Sequence, residues 1–446
     1  KLLSEIFRNK KNIGSKERRF SSELIFAILR NKILLDYLIN QLENDNLIDK
    51  DNNIYLSYIY IFLIIKTLDY DISPEFDPQT LIIRINQNAK IEEILKSFFG
   101  DKYDIIRHYI ENQLEIIQSA IDDADTSHSL PYLAIRYSFP EYLLEKILGK
   151  FGNMKQLQNF LQKSTSAAYP TIRISQLNTN IQEIENELKN LLIQYYKSKI
   201  VPNAIVLYER VQLSEFNFYK SGKIEIQDEG SQLISYILDP QPGEIILDAC
   251  SGAGGKTLHI ADLMNNQGVV IANDIEYNRL KEIPKRASRC GLSIIQTNNS
   301  LKTNIEVFIN KNKYLRNGFD KILVDAPCSG MGTIRRDPMR KYRINPILLE
   351  KLHNNQLKIL SEYSKYVKIG GILVYSTCSI LPDENENVID EFLAANKNFL
   401  PDPIKPIINK NNIGIENISN EAFMLNIDFT QSNSDGFFMA RMKRIE

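Results

Sequence analysis

From position 243 onward the chain repeats one unit: a short aliphatic, β-branched run, a turn rich in Gly, Asp, Asn or Pro, and then a helical stretch. The strand runs are 244–249, 269–273, 293–297, 320–325 and 371–376, and "DGFFMARMKR" at 435–444 reads as a final antiparallel strand. Helix-length links between strands carry the chain back to the same end of a sheet, so neighbouring strands run parallel. The alternation therefore predicts a mainly parallel sheet covered by helices on both faces. A ligand in such a sheet lies across the carboxyl ends of the strands.

The first strand end is "EIILDACSGAGGKTLHIADLM", Glu244 to Met264. A phosphate loop would need glycine where Cys250 stands, and a dinucleotide fingerprint starting at Gly252 and Gly254 ends wrongly on Thr257. Asp274 closes the second strand, where an acid accepts from ribose hydroxyls. A glycine turn and a ribose acid without a pyrophosphate fingerprint favour an adenosyl ligand such as S-adenosylmethionine. An NAD enzyme with a variant turn is the competing reading. Either way, this part of the chain is Rossmann-like.

The rest of the chain has a different texture. Residues 1–140 are helical in pattern and almost free of glycine, with Phe20, Leu24, Ala27 and Ile28, then Leu34, Leu35, Leu38 and Leu42, at helical spacing. This predicts an all-α bundle. Residues 141–226 read as a small α+β connector, with a strand at "TIRIS" and an amphipathic helix near 180–198; the catalytic part spans 227–446. The apolar run Ile54 to Ile65 is too short to span a bilayer and reads as a buried helix. No signal peptide is visible, and the chain begins with Lys.

Four cysteines at 250, 290, 328 and 378 include no C-x-x-C pair. This argues against a metal site and against a disulfide framework, and for free thiols in a reducing cytoplasm. The formal net charge of -1 conceals two basic runs. Lys1, Arg8, Lys10, Lys11, Lys16, Arg18 and Arg19 crowd the start, and Arg335, Arg336, Arg340, Lys341 and Arg343 follow the fourth strand. Restricted patches of this kind suit nucleic acid.

Two later strand ends carry thiols: "FDKILVDAPCSGMGTIRR" holds Asp325 and Cys328, and "GGILVYSTCSILPDENE" holds Cys378. A lone cysteine there would read as a small buried residue. Two thiols beside a methyl donor suit the C5 position of a pyrimidine, which is a poor nucleophile until a thiolate has added at C6.

Together "IQDEGSQLISYIL", "LDACSGAGGKT", "FDKILVDAPCSG", "YSTCS" and "DGFFMA" resemble the Sun (Fmu) family of RNA cytosine-C5 methyltransferases, over most of the chain. The resemblance implies a class I methyltransferase domain behind an all-α, NusB-like RNA-binding domain. It implies methylation of a cytosine in small-subunit (16S) rRNA, free or in an assembly intermediate, by a monomer using S-adenosylmethionine and no metal. It assigns the nucleophile to Cys378 and release of the methylated product to Cys328. Cofactor contacts fall to Cys250, Ser251, Gly252, Ala253, Gly254, Gly255 and Lys256, and to Asp274, Asn298 and Asp325. Ser251, Gly252 and Ala253 depart from the family's usual Ala-Ala-Pro, and Asn298 and Met339 stand where acids are usual. The alternatives are a tRNA cytosine-C5 methyltransferase and a non-catalytic RNA-binding assembly factor. The basic cluster 335–343 is expected to line the cleft mouth and hold RNA phosphates.

Overall fold

The computed structural model describes residues 14–49, 54–68, 91–122, 126–166, 168–209 and 211–446. These fall into two compact units, one within Lys1–Ala167 together with Ile334–Arg343, the other within Ala168–Thr333 and Ile344–Glu446. Residues 1–13, with the first part of the N-terminal basic run, lie outside the described residues.

The first unit is helical. Its helices include Ser15–Arg30, Lys32–Asn44, Ile54–Thr67, Tyr103–Asp122, Glu141–Phe151 and Met154–Ser164. Leu34, Leu35, Leu38, Ile39 and Leu42 form the buried stripe of the second of these, as the i, i+4 spacing predicts. The apolar run from Ile54 lies in the third, where Ile61 to Ile65 are all buried, and both helices share one core with Ile106 and Ile110. Gly152, at φ 73°, ends Glu141–Phe151, and the Asn153 side chain caps the next helix by accepting from Gln156 N–H.

The second unit holds two sheets. Strands β1 (Thr171–Ile174), β2 (Tyr195–Lys197), β3 (Ala204–Leu207) and β4 (Ile224–Ile226) form an antiparallel sheet in the order β2-β3-β1-β4. Ile172, Ile174, Ile205, Leu207 and Ile224 bury one of its faces against Ile184 and Leu188 of helix Ile181–Asn190. That helix stops well short of 198. Leu192 turns the chain at φ 56°, and the following Tyr195 and Tyr196 suit the pleated strand that forms instead.

The larger sheet comprises β5 (Ile245–Asp248), β6 (Val269–Asp274), β7 (Ile295–Asn299), β8 (Phe319–Asp325), β9 (Val367–Thr377), β10 (Phe399–Pro401), β11 (Met424–Ile427) and β12 (Phe437–Arg444). Its order is β10-β12-β9-β8-β5-β6-β7, with β11 also paired to β12. β9, β8, β5, β6 and β7 are mutually parallel, and β12 joins β9 antiparallel, as the sequence predicts. β10 and β11, too short to show a period, add antiparallel pairs along β12. Leu233, Ile237, Leu258 and Ala261 cover one face, and Leu360, Ile389 and Phe392 the other. This two-sided burial explains the continuous apolar runs of β5 and β8. Chain order reverses at β5, which lies between β6 and β8, so a ligand crevice belongs at its carboxyl end. No described helix is long and apolar enough to cross a membrane.

Candidate active site

The carboxyl ends of β5, β6, β8 and β9 bring together Asp248, Asp274, Asp325 and the segment Ser376–Cys378. The turn after β5 starts the helix Gly255–Leu263, with Gly254 at φ 86°. A Cβ on Gly254 would stand 2.7 Å from Ile283 Cγ1, so both backbone angle and space demand glycine here.

The turn is braced from outside. Arg286 donates to Ala253 O at 2.5 Å and pairs with Glu225 at 2.8 Å, and Arg289 pairs with the other oxygen of Glu225. Arg173 of β1 donates to Gly255 O at 3.1 Å and to Gln227 Oε1 at 2.6 Å. These arginines hold two carbonyls of a turn that lacks the stiffening proline. Ser251 N–H donates to Asn273 O at 2.9 Å, and Gly252 N–H to Asp274 Oδ2 at 2.7 Å.

Asp274 therefore gives one oxygen to Gly252 N–H and the other to Glu276 N–H, also at 2.7 Å. Each carboxylate oxygen retains a further lone pair for a ribose hydroxyl. Asp248 is buried; its Oδ2 accepts from Thr257 Oγ1 at 2.6 Å while its Oδ1 has no hydrogen-bond partner. Burial pushes its carboxyl up to about 7. The orphaned oxygen beside a glycine turn fits a hydrogen-bonding, adenosyl-type ligand at this edge. Asn298 is buried, and its amide donates to Asn273 Oδ1 at 2.7 Å and to Thr303 O at 3.1 Å. Neither amide hydrogen is left over for an adenine ring.

Lys256 Nζ meets Asp325 Oδ2 at 2.6 Å, and Ser376 Oγ donates to Asp325 Oδ1 at 2.9 Å. Burial opposes the charge on Lys256, but Asp325 and Asp248 outweigh it and keep the amine protonated. The Cys328 and Cys378 sulfurs stand 3.3 Å apart. The hydrogen bond to Cys378, reinforced by burial, pushes the Cys328 thiol well above its usual range. Cys328 thus holds its proton beside Cys378. Cys250, at the start of the turn after β5, is also pushed well above the usual range, chiefly by burial, and is a neutral thiol. Among the described residues, no group of three or more His, Cys, Asp and Glu could hold a metal ion.

One central residue is absent from the sequence reading. Glu384 is fully buried and accepts from Ser329 N–H at 2.7 Å, Ser379 Oγ at 2.5 Å, Gln356 Nε2 at 3.0 Å and the Ser329 hydroxyl. It links the turn that follows Cys328 to the one that follows Cys378. The acidic "DENE" just past a ligand-edge strand was the available signal. Gly332 completes the joint: its N–H donates to Cys378 O at 2.9 Å and its carbonyl accepts from Gly436 N–H at 2.8 Å. A Cβ on Gly332 would collide with Gly436 O at 1.9 Å.

The basic cluster 335–343 needs correction. Residues 334–343 belong to the helical unit. There Lys341 is buried, donating to Arg30 O at 3.1 Å and Tyr137 O at 3.0 Å, with its ammonium 4.5 Å from the centre of the Phe139 ring. Burial, and then Arg30, lower its pKa well below the usual lysine range. Arg335 is buried too, and its carbonyl accepts from Arg30 Nη2 at 3.2 Å. Both residues are held inside the protein, while Arg336 and Arg343 are exposed. A run of basic letters does not distinguish the two kinds.

Comparison with known proteins follows the same lines. Residues 235–443 match the family model described as 16S rRNA methyltransferase RsmB/F. The chain is 31% identical over 410 residues to a probable ribosomal RNA small subunit methyltransferase B of Bacillus subtilis, covering 90% of this chain and 85% of that one. It is 32% identical over 327 residues to the 26S rRNA (cytosine-C(5))-methyltransferase nsun-1 of Caenorhabditis elegans, covering 70% and 48% of the two chains. Among solved structures, a methyltransferase homolog from Pyrococcus horikoshii superposes with a TM-score of 0.57 at 27% identity, covering 70% of this chain and 97% of that one.

Proposed function

Because the chain belongs to the RsmB/F family of 16S rRNA methyltransferases, we propose that it methylates C5 of one cytosine in small-subunit rRNA, in the cytoplasm, through a bond between Cys378 and C6. Family membership makes it an RNA methyltransferase that uses S-adenosylmethionine. The observation that carries the finer reading is the pair of thiols, 3.3 Å apart just past the ends of two neighbouring parallel strands. Methyl transfer to a ribose oxygen or an amine needs no thiol, whereas C5 of cytosine does.

S-adenosylmethionine, when bound, supplies an electrophilic methyl group, and the protein must make C5 nucleophilic. The Cys378 thiolate adds to C6, which loads the ring so that C5 could bond the methyl carbon while the methyl–sulfonium bond broke and the cofactor's sulfur left as a neutral thioether. A base then takes the C5 proton, the C5–C6 double bond re-forms, and Cys378 leaves as thiolate. Cys328, with its proton held, is the neutral partner in that breakdown. We read the turn Cys250–Lys256 with Asp274 and Asp325 as the cofactor's contacts, Asn298 as a buried support for Asn273 beside them, and the helical unit as a NusB-like RNA-binding module.

Bisulfite sequencing of small-subunit rRNA from cells with and without this protein tests the reading. One cytosine should lose its protection when the protein is missing, and purified protein should restore it. Identical bisulfite profiles would overturn the reading.

A further inference from the structure

The small antiparallel sheet has a second face, opposite helix Ile181–Asn190. Arg173, Ala204 and Glu225 lie on it, and through Arg173 and Arg286 this face holds the glycine turn. Along the same face towards the start of β1, Val206 pairs with both Thr171 and Tyr196, and in the same register Tyr208 stands opposite Tyr169. The three tyrosine rings gather there. The Tyr208 centroid is 5.2 Å from that of Tyr196, with the rings tilted, and 5.9 Å from that of Tyr169, with the rings edge to face. Tyr169 and Tyr208 remain 42% and 51% exposed. Four residues of strand, roughly 13 Å, separate Tyr169 from Arg173.

The cluster is tied to the thiols. The Tyr169 N–H donates to Asn433 Oδ1 at 3.4 Å, and Asn433 Nδ2 donates back to Tyr169 O at 3.3 Å. Three residues on, Gly436 N–H donates to Gly332 O, and Gly332 N–H donates to Cys378 O. A short run of backbone thus joins the aromatic shelf to the turn carrying Cys378.

We propose that Tyr169, Tyr196 and Tyr208 form a stacking shelf for unpaired bases of the RNA that flank the target cytosine. This rests on the rRNA methyltransferase reading above. Sequence-selective proteins read RNA where it is unpaired, by stacking splayed bases on aromatic rings. A base turned out to reach Cys378 leaves its neighbours partly unstacked. Solvent-facing tyrosines on a rigid sheet give those neighbours a surface at little entropic cost.

The test uses the full chain and a single-stranded fragment of small-subunit rRNA that the wild-type protein methylates. Tyr208→Ala, and the triple alanine variant of 169, 196 and 208, should bind the fragment roughly five- to a hundredfold more weakly per lost stack. Three features separate stacking from a phosphate contact or a folding defect. The salt dependence of binding should keep its slope, S-adenosylmethionine affinity should stay at the wild-type value, and Tyr208→Phe should restore RNA binding. In wild-type protein, RNA carrying 4-thiouridine beside the target should photo-cross-link to peptides containing these tyrosines. Wild-type RNA affinity in the triple variant, or cross-links confined to other peptides, overturns the shelf while leaving the reaction intact. A wild-type protein that methylates no rRNA fragment overturns both the shelf and the reading beneath it.

Discussion

The Glu384 carboxylate accepts the backbone N–H of Ser329 at 2.7 Å, joining two turns that lie far apart in the chain. Ser379 and Gln356 donate to the same buried group. The spacing of Cys328 and Cys378 therefore depends on a side chain that touches neither sulfur. Glu384→Ala would leave a buried N–H, two hydroxyls and an amide without their acceptor, at about 1–3 kcal/mol each. Steady-state methylation should fall by roughly a hundredfold, as for displaced reacting groups. S-adenosylmethionine binding, measured by calorimetry, should change little. A large loss of cofactor affinity with normal turnover at saturation would show that Glu384 serves the cofactor instead.

The thiols themselves should divide their labour. Cys378→Ala should abolish methyl transfer and leave S-adenosylmethionine affinity nearly unchanged. Cys328→Ala should permit bond formation but slow its breakdown, giving a protein–RNA species that survives a denaturing gel. Turnover in the Cys378 variant, or no such species in the Cys328 variant, would reverse or dissolve the assignment.

The brace behind the cofactor turn gives a separate handle. Glu225 is buried and neutralised by Arg286 and Arg289, and Arg286 in turn holds Ala253 O. Glu225→Gln keeps the shape but removes the charge that orients both arginines. Charge-assisted bonds contribute about 1.5–3 kcal/mol, so S-adenosylmethionine should bind roughly tenfold or more weakly. RNA affinity should stay unchanged. Equal loss of both affinities would mean that the unit as a whole has been disturbed.

These residues also mark where the sequence stops being legible. The strand ends were readable because a parallel sheet buries both faces and leaves unbroken apolar runs that finish in Asp248, Asp274 and Asp325. Both thiols were readable because each follows such a run closely. Glu384 was not, since nothing local reveals that its partners, Ser329 and Gln356, lie 55 and 28 residues away. The arginine brace is hidden for the same reason, joining Arg173 to Gly255 across 82 residues. Short-range pattern specifies elements and their ends; hydrogen bonds between distant loops exist only once the sheet has brought them together.

Asp248 predicts a pH dependence. Burial raises its folded pKa to about 7, whereas an unfolded Asp titrates at ~3.9. Between these values the folded chain holds a proton that the unfolded chain has lost. This contribution to stability is complete below the unfolded pKa and is lost as pH rises through about 7. Asp248→Asn cannot titrate, so its stability relative to wild type should improve from pH 5 to about pH 7, by up to ~1.4 kcal/mol per pH unit, and level off by pH 8. Urea denaturation of both proteins across this range, without cofactor, reads this directly. Parallel stability curves would place the proton elsewhere.

The last prediction separates two kinds of basic residue that the sequence presents as one cluster. Lys341 is buried with its amine on two backbone carbonyls, whereas Arg336 and Arg343 are exposed. Replacing the lysine removes internal hydrogen bonds, so Lys341→Ala should cost about 1–3 kcal/mol of stability in the helical unit. The salt dependence of RNA binding should not move, because no phosphate contact is lost. The double variant of Arg336 and Arg343 to alanine should do the reverse. Its stability should match wild type, since exposed charges contribute little. Its RNA affinity should fall, and the slope of log affinity against log salt should flatten by roughly 0.7 to 1 per lost phosphate contact. If both arginines can be removed without changing that slope, the RNA backbone follows another path over the protein, and the cluster serves only to fix residues 334–343 in the helical unit.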